Sequence, residues 1–545
     1  MSATVKIPYQ KGTIIGIVCN TISSKKYYSF HGIPYAEPPV GELRFKAPVP
    51  IKKCKGILDA TKEAPQCYQR HMIRFEEGNG DEDCLYLNVY TPQINSENAP
   101  LPVMVWIHGG AFVCGSSKIE LCGPTLLMEQ DVVLVTFNYR LGMLGFMSFE
   151  NAALEVPGNA GLKDQALVLD WVRRNIKYFN GDKDNVTLFG HDAGAASVHL
   201  HILSPMSKGL FHKVILQSGC ALNPWVNGVE NTGKMMGQVL GIAGSDEEIL
   251  TELRKLSVEL IFMAQEQLTN DNSVNTKWFC SPIVEKQKFP APFLPDEPVN
   301  IIRKGCYAKV PMIIGYAVRE GIYWDLQNIQ MTGKRKVITD FTKVIPNNVN
   351  CNKNSLLSKT IANKIKDFYY GPRLSQTRMG RYPRLRTMGP LYELLTDVFI
   401  LRGVFATIKN HLEMDHRIPI YYYKFTIVSD LNAFKKMLPK IFQRQYSGAI
   451  HGDDLSYFFH TYLTPSFDYE SREQVAVRRI VGMWTNFARS GNPNDEFGTQ
   501  WLPATKGNFQ CLNISEELKV EYNPDMDRMH FWREIYGNDK RTKYL

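Results

Sequence analysis

The residues best suited to chemistry lie in a five-residue segment, Gly-His-Asp-Ala-Gly, at positions 190–194. The apolar run Val-Thr-Leu-Phe at 186–189 precedes it, and Ala-Ala-Ser-Val-His-Leu at 195–200, which predicts a helix, follows it. A strand, a tight turn bounded by glycines and the start of a helix are typical of a nucleophile elbow. The glycines permit a tight turn and a close approach of two backbones. Such a turn forces its central residue outward at the helix N-terminus, which makes Asp192 the candidate catalytic residue.

The segments around this turn predict the elements that position it. Near-continuous apolar runs at 103–107 and 132–137 are typical of strands that are buried on both faces of a parallel sheet. The alternating pattern at 83–90 predicts a half-buried strand, and apolar residues recur at helical spacing between 164 and 179. Strands and helices that alternate at this rhythm predict an α/β protein with a doubly wound parallel sheet.

One later region differs in composition from the rest of the chain. Residues from about 324 to 402 are richer in Lys, Arg, Asn and helix-forming residues. We interpret this region as a helical, lid-like insertion over the carboxyl edge of the sheet, where ligands bind in such folds. The whole chain, residues 1–545, is then a single domain that carries this insertion.

Composition and charge exclude several classes of function. Hydrophobic residues make up 44% of the chain and charged residues 21%, which is ordinary for a globular protein. The net charge of +9 is spread thinly, and we expect no nucleic-acid partner. The chain has no run of about 18 apolar residues, so we expect no membrane span. The first residues lack the apolar stretch of a secretory signal, which favours a cytoplasmic or otherwise intracellular location. Zinc spacing, a P-loop and a dinucleotide fingerprint are absent from the sequence, and we therefore expect neither metal nor cofactor.

The eleven cysteines are odd in number and irregular in spacing. In a reducing compartment most of them would be free thiols that pack as small hydrophobic groups. Cys67 and Cys84 flank a polar, loop-like stretch. They are the pair expected to form a disulfide if the protein meets an oxidising environment.

Several longer motifs identify a family. The chain resembles the type-B carboxylesterase and cholinesterase family of α/β-hydrolases, and most closely the insect α-esterases. The motifs that carry the resemblance are Phe-His-Gly-Ile-Pro-Tyr-Ala at 30–36, Glu-Asp-Cys-Leu-Tyr-Leu at 82–87, Trp-Ile-His-Gly-Gly at 106–110, Pro-Gly-Asn-Ala-Gly-Leu-Lys-Asp-Gln at 157–165, the elbow at 190–194, Gly-Met-Trp-Thr-Asn-Phe at 482–487 and Cys-Leu-Asn-Ile-Ser at 511–515. Because they span nearly the whole chain in order, the resemblance implies an α/β-hydrolase fold with a large, mostly parallel sheet and helices on both faces.

The resemblance implies a catalytic triad of serine, glutamate and histidine. Its glutamate falls on Glu320, and its histidine falls on His451. Its serine falls on Asp192, so the chain departs from the family at the nucleophile. The order nucleophile, acid, base along the chain is the one that this fold uses. Ser218, which follows a predicted strand, we interpret as a satisfied strand-end hydroxyl.

The resemblance also implies an oxyanion hole made of backbone N–H groups. Its donors fall on Gly110, Ala111 and Ala193. Family members commonly carry a third glycine where Ala111 stands. Alanine keeps the N–H donor but adds a Cβ inside the pocket.

An aspartate at the nucleophile position changes the expected chemistry. A carboxylate that attacks an ester must form a mixed anhydride, and the tetrahedral intermediate would expel the carboxylate because it is the better leaving group. An Asp192 anion should also favour the protonated imidazolium of His451, which cannot act as a base. We therefore expect a disrupted triad with little or no serine-esterase turnover, in a protein that binds a small ester-like, hydrophobic or xenobiotic molecule.

Two alternatives to this interpretation remain open. The first is an active hydrolase in which Asp192 attacks an sp³ carbon, because Gly-His-Asp-x-Gly resembles the elbow of epoxide hydrolases and haloalkane dehalogenases. The groups that activate the electrophile in those enzymes are not identifiable in this chain. The second is a working carboxylesterase scaffold that carries a relict or engineered substitution.

Overall fold

The strand that leads into Asp192 lies inside one large, mixed sheet. The computed structural model describes residues 3–70, 78–94, 97–268, 277–285, 291–325, 340–347, 349, 351–352, 354–374, 388–436, 448–465, 470–494 and 498–537. These residues form a sheet of thirteen strands. The strands are β1 (Thr4–Tyr9), β2 (Lys11–Asn20), β3 (Lys26–Pro34), β4 (Lys55–Asp59), β5 (Tyr86–Thr91), β6 (Leu101–Ile107), β7 (Val133–Phe137), β8 (Gly181–His191), β9 (Lys213–Gln217), β10 (Met312–Ala317), β11 (Ile420–Phe425), β12 (Gln510–Ile514) and β13 (Leu518–Tyr522).

The strand order is β1-β2-β3-β5-β7-β6-β8-β9-β10-β11-β12-β13, and β4 pairs with β2. All neighbours from β7 to β12 in this order are parallel. In the same order, the neighbours from β1 to β7 and the pair β12–β13 are antiparallel, whereas β4 pairs with β2 in parallel. The carboxyl ends of β8, β9 and β10 therefore lie side by side at one edge, which is where α/β folds build their sites.

Helices cover this sheet. Those described are α1 (Ile119–Cys122), α2 (Gly142–Phe146), α3 (Ala160–Asn175), α4 (Ala193–Leu203), α5 (Thr232–Val239), α6 (Asp246–Lys255), α7 (Val258–Leu268), α8 (Pro298–Arg303), α9 (Leu356–Leu374), α10 (Met388–Thr396), α11 (Arg402–Met414), α12 (Ala433–Lys436), α13 (Arg472–Ser490) and α14 (Met526–Tyr536). A π-helical turn, Asp397–Leu401, joins α10 to α11. None of the described helices is both long and apolar enough to cross a lipid bilayer.

Strand β6 shows how the two faces of the sheet are buried. Val103 and Val105 belong to a core that includes apolar residues of α3 and α4. Met104 and Trp106 point the other way, into a second core with Trp484 of α13. Both faces of this strand are thus covered, which explains its continuous apolar sequence. The predicted α/β-hydrolase fold is confirmed.

The strand predicted at 83–90 begins later than expected, at Tyr86. Cys84 is joined to Cys67 in a disulfide, and its backbone N–H closes a turn on the Glu82 carbonyl. These bonds hold residues 82–85 outside the sheet, although their alternating sequence is typical of a strand.

The lid-like insertion over residues 324–402 stays a prediction. Its described part contains α9, α10 and the π-helical turn. Residues 326–339 and 375–387 of the insertion lie outside the described residues.

Candidate active site

Asp192 stands between the last residue of β8 and the first residue of α4. Its backbone is in an unusual conformation, with φ 55° and ψ −122°, as expected of a sharp strand-to-helix turn. The two flanking glycines are required by close contacts: a Cβ on Gly190 would lie 2.6 Å from the backbone of Gly194, and one on Gly194 would lie 2.0 Å from the Ile107 carbonyl oxygen. The local sequence therefore builds the elbow because only glycine fits two positions before and two positions after Asp192.

The loop after β6 supplies hydrogen-bond donors to the Asp192 carboxylate. The backbone N–H groups of Gly110 and Ala111 both donate to Asp192 Oδ2, each at 2.9 Å. Both residues have positive φ, 115° for Gly110 and 53° for Ala111, and this conformation turns their N–H groups toward one point. Ala193, the third predicted donor, is buried and begins α4 directly after Asp192.

His451 lies between the other two predicted site residues. Its Nδ1 donates to Glu320 Oε2 at 2.5 Å, and its Nε2 lies 3.7 Å from Asp192 Oδ1. We call Asp192, His451 and Glu320 the site cluster. The structure brings these three residues together from the ends of two strands and a loop that are far apart in the sequence.

Glu320 is fixed by a second set of bonds. Its Oε1 accepts hydrogen bonds from the Ala317 backbone N–H at 2.7 Å and from the Ser218 hydroxyl at 2.6 Å. Glu320 is fully buried, so these donors replace the water that it loses. The Ser218 hydroxyl at the end of its strand thus has a hydrogen-bond partner, as predicted, and that partner is Glu320 of the site cluster.

The charges of the site cluster stabilise one another. Burial alone raises the pKa of Asp192, but the neighbouring His451 and the Gly110 N–H hold it well below its ordinary value. Burial alone lowers the pKa of His451, but the carboxylates of Glu320 and Asp192 raise it to about 10. At neutral pH, Asp192 is therefore an anion and His451 an imidazolium cation.

A second acid–imidazole pair packs against the site cluster. The ring of His191 lies 4.4 Å from that of His451, and its Nε2 is 3.8 Å from Asp454 Oδ1. Asp454 Oδ2 accepts from the Gln217 amide at 2.8 Å, and burial raises the pKa of Asp454 to about 7. Sequence reasoning missed this pair. The sequence did contain one indication of this pair, because His191 directly precedes Asp192.

Aromatic side chains form a wall beside His451. The ring centroids of Tyr323 and Trp324 lie 5.0 and 5.6 Å from that of His451. Trp324 stacks on Phe399 of the π-helical turn, at 4.1 Å. The side chain of Asp192 retains 13% of its exposure while that of Glu320 retains none, so the site cluster meets open space at Asp192.

Within the described part of the chain, no group of three or more His, Cys, Asp or Glu side chains is arranged to hold a metal ion. The site cluster and the loop after β6 offer two carboxylates, an imidazole and backbone N–H donors. Such a set can bind, orient and transfer protons.

Known proteins share both the sequence and the fold. The model of the carboxylesterase family matches residues 1–532. Esterase B1 of Culex pipiens is 34% identical over 559 aligned residues, which cover 99% of this chain and 99% of that protein. Juvenile hormone esterase of Tribolium castaneum is 35% identical, covering 96% of this chain and 92% of that protein.

A solved structure agrees with these relatives. The crystal structure of juvenile hormone esterase from Manduca sexta, with OTFP covalently attached, superposes with a TM-score of 0.84 at 29% identity. The match covers 98% of this chain and 100% of that one. The predicted similarity to insect esterases is confirmed by these relatives, and the chain belongs to the carboxylesterase family.

Proposed function

We propose that this carboxylesterase-family protein binds a small ester-like or hydrophobic molecule and lacks ordinary serine-esterase turnover. One observation carries the proposal: the N–H groups of Gly110 and Ala111 both donate to Asp192 Oδ2. In an esterase, such donors stabilise the oxyanion that develops on the substrate carbonyl. Here the protein's own carboxylate takes the place of that oxygen, so a bound ester finds the donors already occupied.

The state of His451 supports the same conclusion. A general base must be unprotonated, whereas the two adjacent carboxylates keep His451 protonated at neutral pH. The acyl product of an attack by Asp192 would be a mixed anhydride, whose tetrahedral precursor returns to ester by expelling the carboxylate. We therefore infer that the site lacks both the general base and the nucleophile that ester hydrolysis needs.

The surroundings of Asp192 support a hydrophobic ligand. Tyr323 and Trp324 are partly exposed and lie beside the imidazole, which offers flat apolar surface next to a charged group. Relatives named as esterases, among them Esterase B1 of Culex pipiens, are consistent with a ligand that resembles an ester.

The first test is Asp192→Ser, assayed with p-nitrophenyl and naphthyl esters beside the unmodified protein. We expect kcat/KM to rise at least about 10³-fold, which corresponds to ~4 kcal/mol of transition-state stabilisation. Asp192→Asn is the matched control: it removes the charge, keeps the shape and supplies no hydroxyl, so it should remain inactive. A turnover of ~1–10³ s⁻¹ by the unmodified protein would contradict the proposal.

Ligand binding is tested separately from turnover. We expect naphthyl acetate to quench tryptophan fluorescence of the unmodified protein saturably, and Trp324→Ala to weaken this binding at least tenfold. Lys366→Ala, on the exposed face of α9, serves as the control and should bind as the parent does. If none of the p-nitrophenyl and naphthyl esters quenched the fluorescence saturably, the proposed ligand binding would be contradicted.

A second function is favoured by the unequal environments of the two Asp192 oxygens. Oδ2 is held by two N–H donors, while Oδ1 lies 3.7 Å from His451 Nε2. Oδ1 would attack an epoxide carbon, the carbon–oxygen bond of the ring would break, and the imidazolium would give its proton to the alkoxide. Neutral His451 would then take a proton from water as the hydroxide attacks the Asp192 carboxyl carbon. The ester carbon–oxygen bond would break, the released alkoxide would take the proton of the new carboxylic acid and leave as the diol, and Asp192 and His451 would return as carboxylate and imidazolium.

Mass spectrometry distinguishes this second function from the first. Incubation with styrene oxide and rapid quenching should add the mass of one epoxide molecule to the parent peptide that contains Asp192. His451→Gln lacks both the acid for the alkoxide and the base for water, so it should form the adduct more slowly. Asp192→Asn, which lacks the nucleophile, is the control. An unmodified Asp192 peptide in the rapidly quenched parent would exclude alkylation of Asp192.

A further inference from the structure

A groove that is separate from the site cluster lies near the end of the chain. Its walls are α11, the turn at 506–509 and α14, and we call it the C-terminal groove. It encloses about 430 Å³, which falls within the ~300–1,000 Å³ typical of small-molecule sites. None of the residues that line it belongs to the site cluster or to the aromatic wall beside His451.

The floor of the C-terminal groove is apolar. Leu412 of α11 and Met529 of α14 are each only 1% exposed and present their side chains from opposite walls. Between them, the rings of Phe405 and Phe509 meet with centroids 4.9 Å apart. Methionine and aromatic side chains adapt to a flexible hydrocarbon chain, because thioethers are flexible and polarisable.

The rim of the C-terminal groove is positively charged. Lys409, Lys506 and Arg533 line it together with one carboxylate, Glu413. Lys506 and Arg533 are exposed, and within the described residues neither forms an ion pair. The exposed cations Lys506 and Arg533 at the edge of an apolar floor favour a ligand with an anionic head and an apolar body.

We propose that the C-terminal groove binds a single-chain anionic amphiphile of the long-chain carboxylate class. The hydrocarbon tail lies against Phe405 and Met529, and the carboxylate is held between Lys506 and Arg533. The enclosed volume suits one such molecule. A neutral ligand would leave Lys506 and Arg533 without a counter-charge, and a fully polar anion would leave the apolar floor uncovered.

Isothermal titration of the full chain with sodium dodecanoate, kept below its micelle concentration, tests the proposal. We expect saturable binding of one molecule and at least tenfold weaker binding to Lys506→Glu/Arg533→Glu. Lys364→Glu/Lys366→Glu on the exposed face of α9 makes the same charge change outside the groove and should bind as the parent does. Equal binding of dodecanol, or unchanged binding by the groove variant, would overturn the proposal.

A second measurement needs no variant that could fail to fold. A diazirine-bearing dodecanoate, irradiated with the unmodified chain, should label peptides of α11 and α14, and excess dodecanoate should suppress the label. Dodecyltrimethylammonium, which has the opposite charge, should not suppress it. Labelling confined to the peptides that carry Tyr323 and Trp324 would assign the ligand to the site cluster and would overturn the proposal.

Discussion

Two clusters in this protein hold a cation between two carboxylates. In the site cluster the cation is His451. In the second, which we call the C-terminal cluster, Arg528 lies 2.7 Å from Asp397 and 2.5 Å from Asp525. Asp397 also accepts a hydrogen bond from Tyr369 at 2.5 Å. This second cluster ties α14 to the π-helical turn, whose Phe399 stacks on Trp324 of the aromatic wall.

The two clusters differ in what their cations and carboxylates can do. A guanidinium stays charged at any pH that the fold survives, whereas an imidazolium can lose its proton. Asp397 is completely buried, and its oxygens are occupied by Arg528 and Tyr369. Asp192 retains 13% of its exposure. The C-terminal cluster, whose guanidinium keeps its charge and whose Asp397 is enclosed, is therefore suited to stabilising the fold. The site cluster, whose imidazolium can lose its proton and whose Asp192 meets open space, is suited to chemistry.

The largest expected effect is loss of the fixed cation. Arg528→Met leaves Asp397 buried without its counter-charge, and we expect the free energy of unfolding to fall by about 4 kcal/mol. Urea denaturation at pH 7 measures the change. Arg173→Met, which removes an arginine from an exposed pair with Asp170, is the control and should cost less than about 1 kcal/mol. Similar costs for the two variants would contradict the structural role of the C-terminal cluster.

The second prediction concerns alkaline pH. The pKa of His451 is about 10 in the folded chain, above its ordinary 6.5, so its contribution to stability is complete below pH 6.5 and lost as pH rises through 10. The parent should therefore lose about 2 kcal/mol relative to His451→Gln between pH 7 and pH 9. A difference between the two proteins that stays constant over this range would show that His451 is not protonated by its neighbours.

The C-terminal cluster should respond to pH in a different range. Burial raises the pKa of Asp397 to about 6 despite the opposing effect of Arg528. The contribution of Asp397 to the free energy of unfolding is therefore complete below its ordinary pKa of 3.8 and is lost as pH rises through 6. Because Arg528 lowers the pKa of Asp397, Arg528→Met should raise this pKa further, and the cost of the substitution should grow as pH rises above 6. The stability difference between the parent and His451→Gln should shrink over the same direction of pH change, and these opposite slopes separate the two clusters experimentally.

A fourth prediction isolates the role of Asp192 in raising the pKa of His451. Asp192→Asn removes one of the two adjacent carboxylates, so the pKa of His451 should fall by about 1, which corresponds to ~1.4 kcal/mol. Because Glu320 remains, the pKa should stay above the ordinary 6.5. NMR titration of the imidazole measures both values, with His451→Gln identifying the resonance. An unchanged pKa would mean that Glu320 alone holds the proton.

The smallest expected effect is at Ser218. Ser218→Ala removes one of the two described donors to Glu320 Oε1 and leaves the Ala317 N–H in place. We expect a cost of about 1 kcal/mol in the free energy of unfolding. Ser490→Ala, which loses an exposed hydroxyl, is the comparison and should change stability by less than about 0.5 kcal/mol. A neutral Ser218→Ala would mean that water replaces the hydroxyl.

The sequence by itself determined the family, the α/β-hydrolase fold and the elbow. Long apolar runs predict buried parallel strands because such strands have no solvent-facing side. Glycines at 190 and 194 predict the turn because no Cβ fits there. The prediction was less accurate at 83–85, where a disulfide and a turn outweigh the strand pattern.

Only the tertiary structure decided which atoms of the predicted site residues bond to each other and which further charged groups lie beside them. That Asp192 Oδ2 takes both N–H donors depends on how the loop after β6 packs against the elbow. The pairing of His191 with Asp454, and of Arg528 with Asp397, joins residues far apart in the sequence. A pKa depends on burial and on charges a few ångströms away, and the folded chain alone fixes those distances.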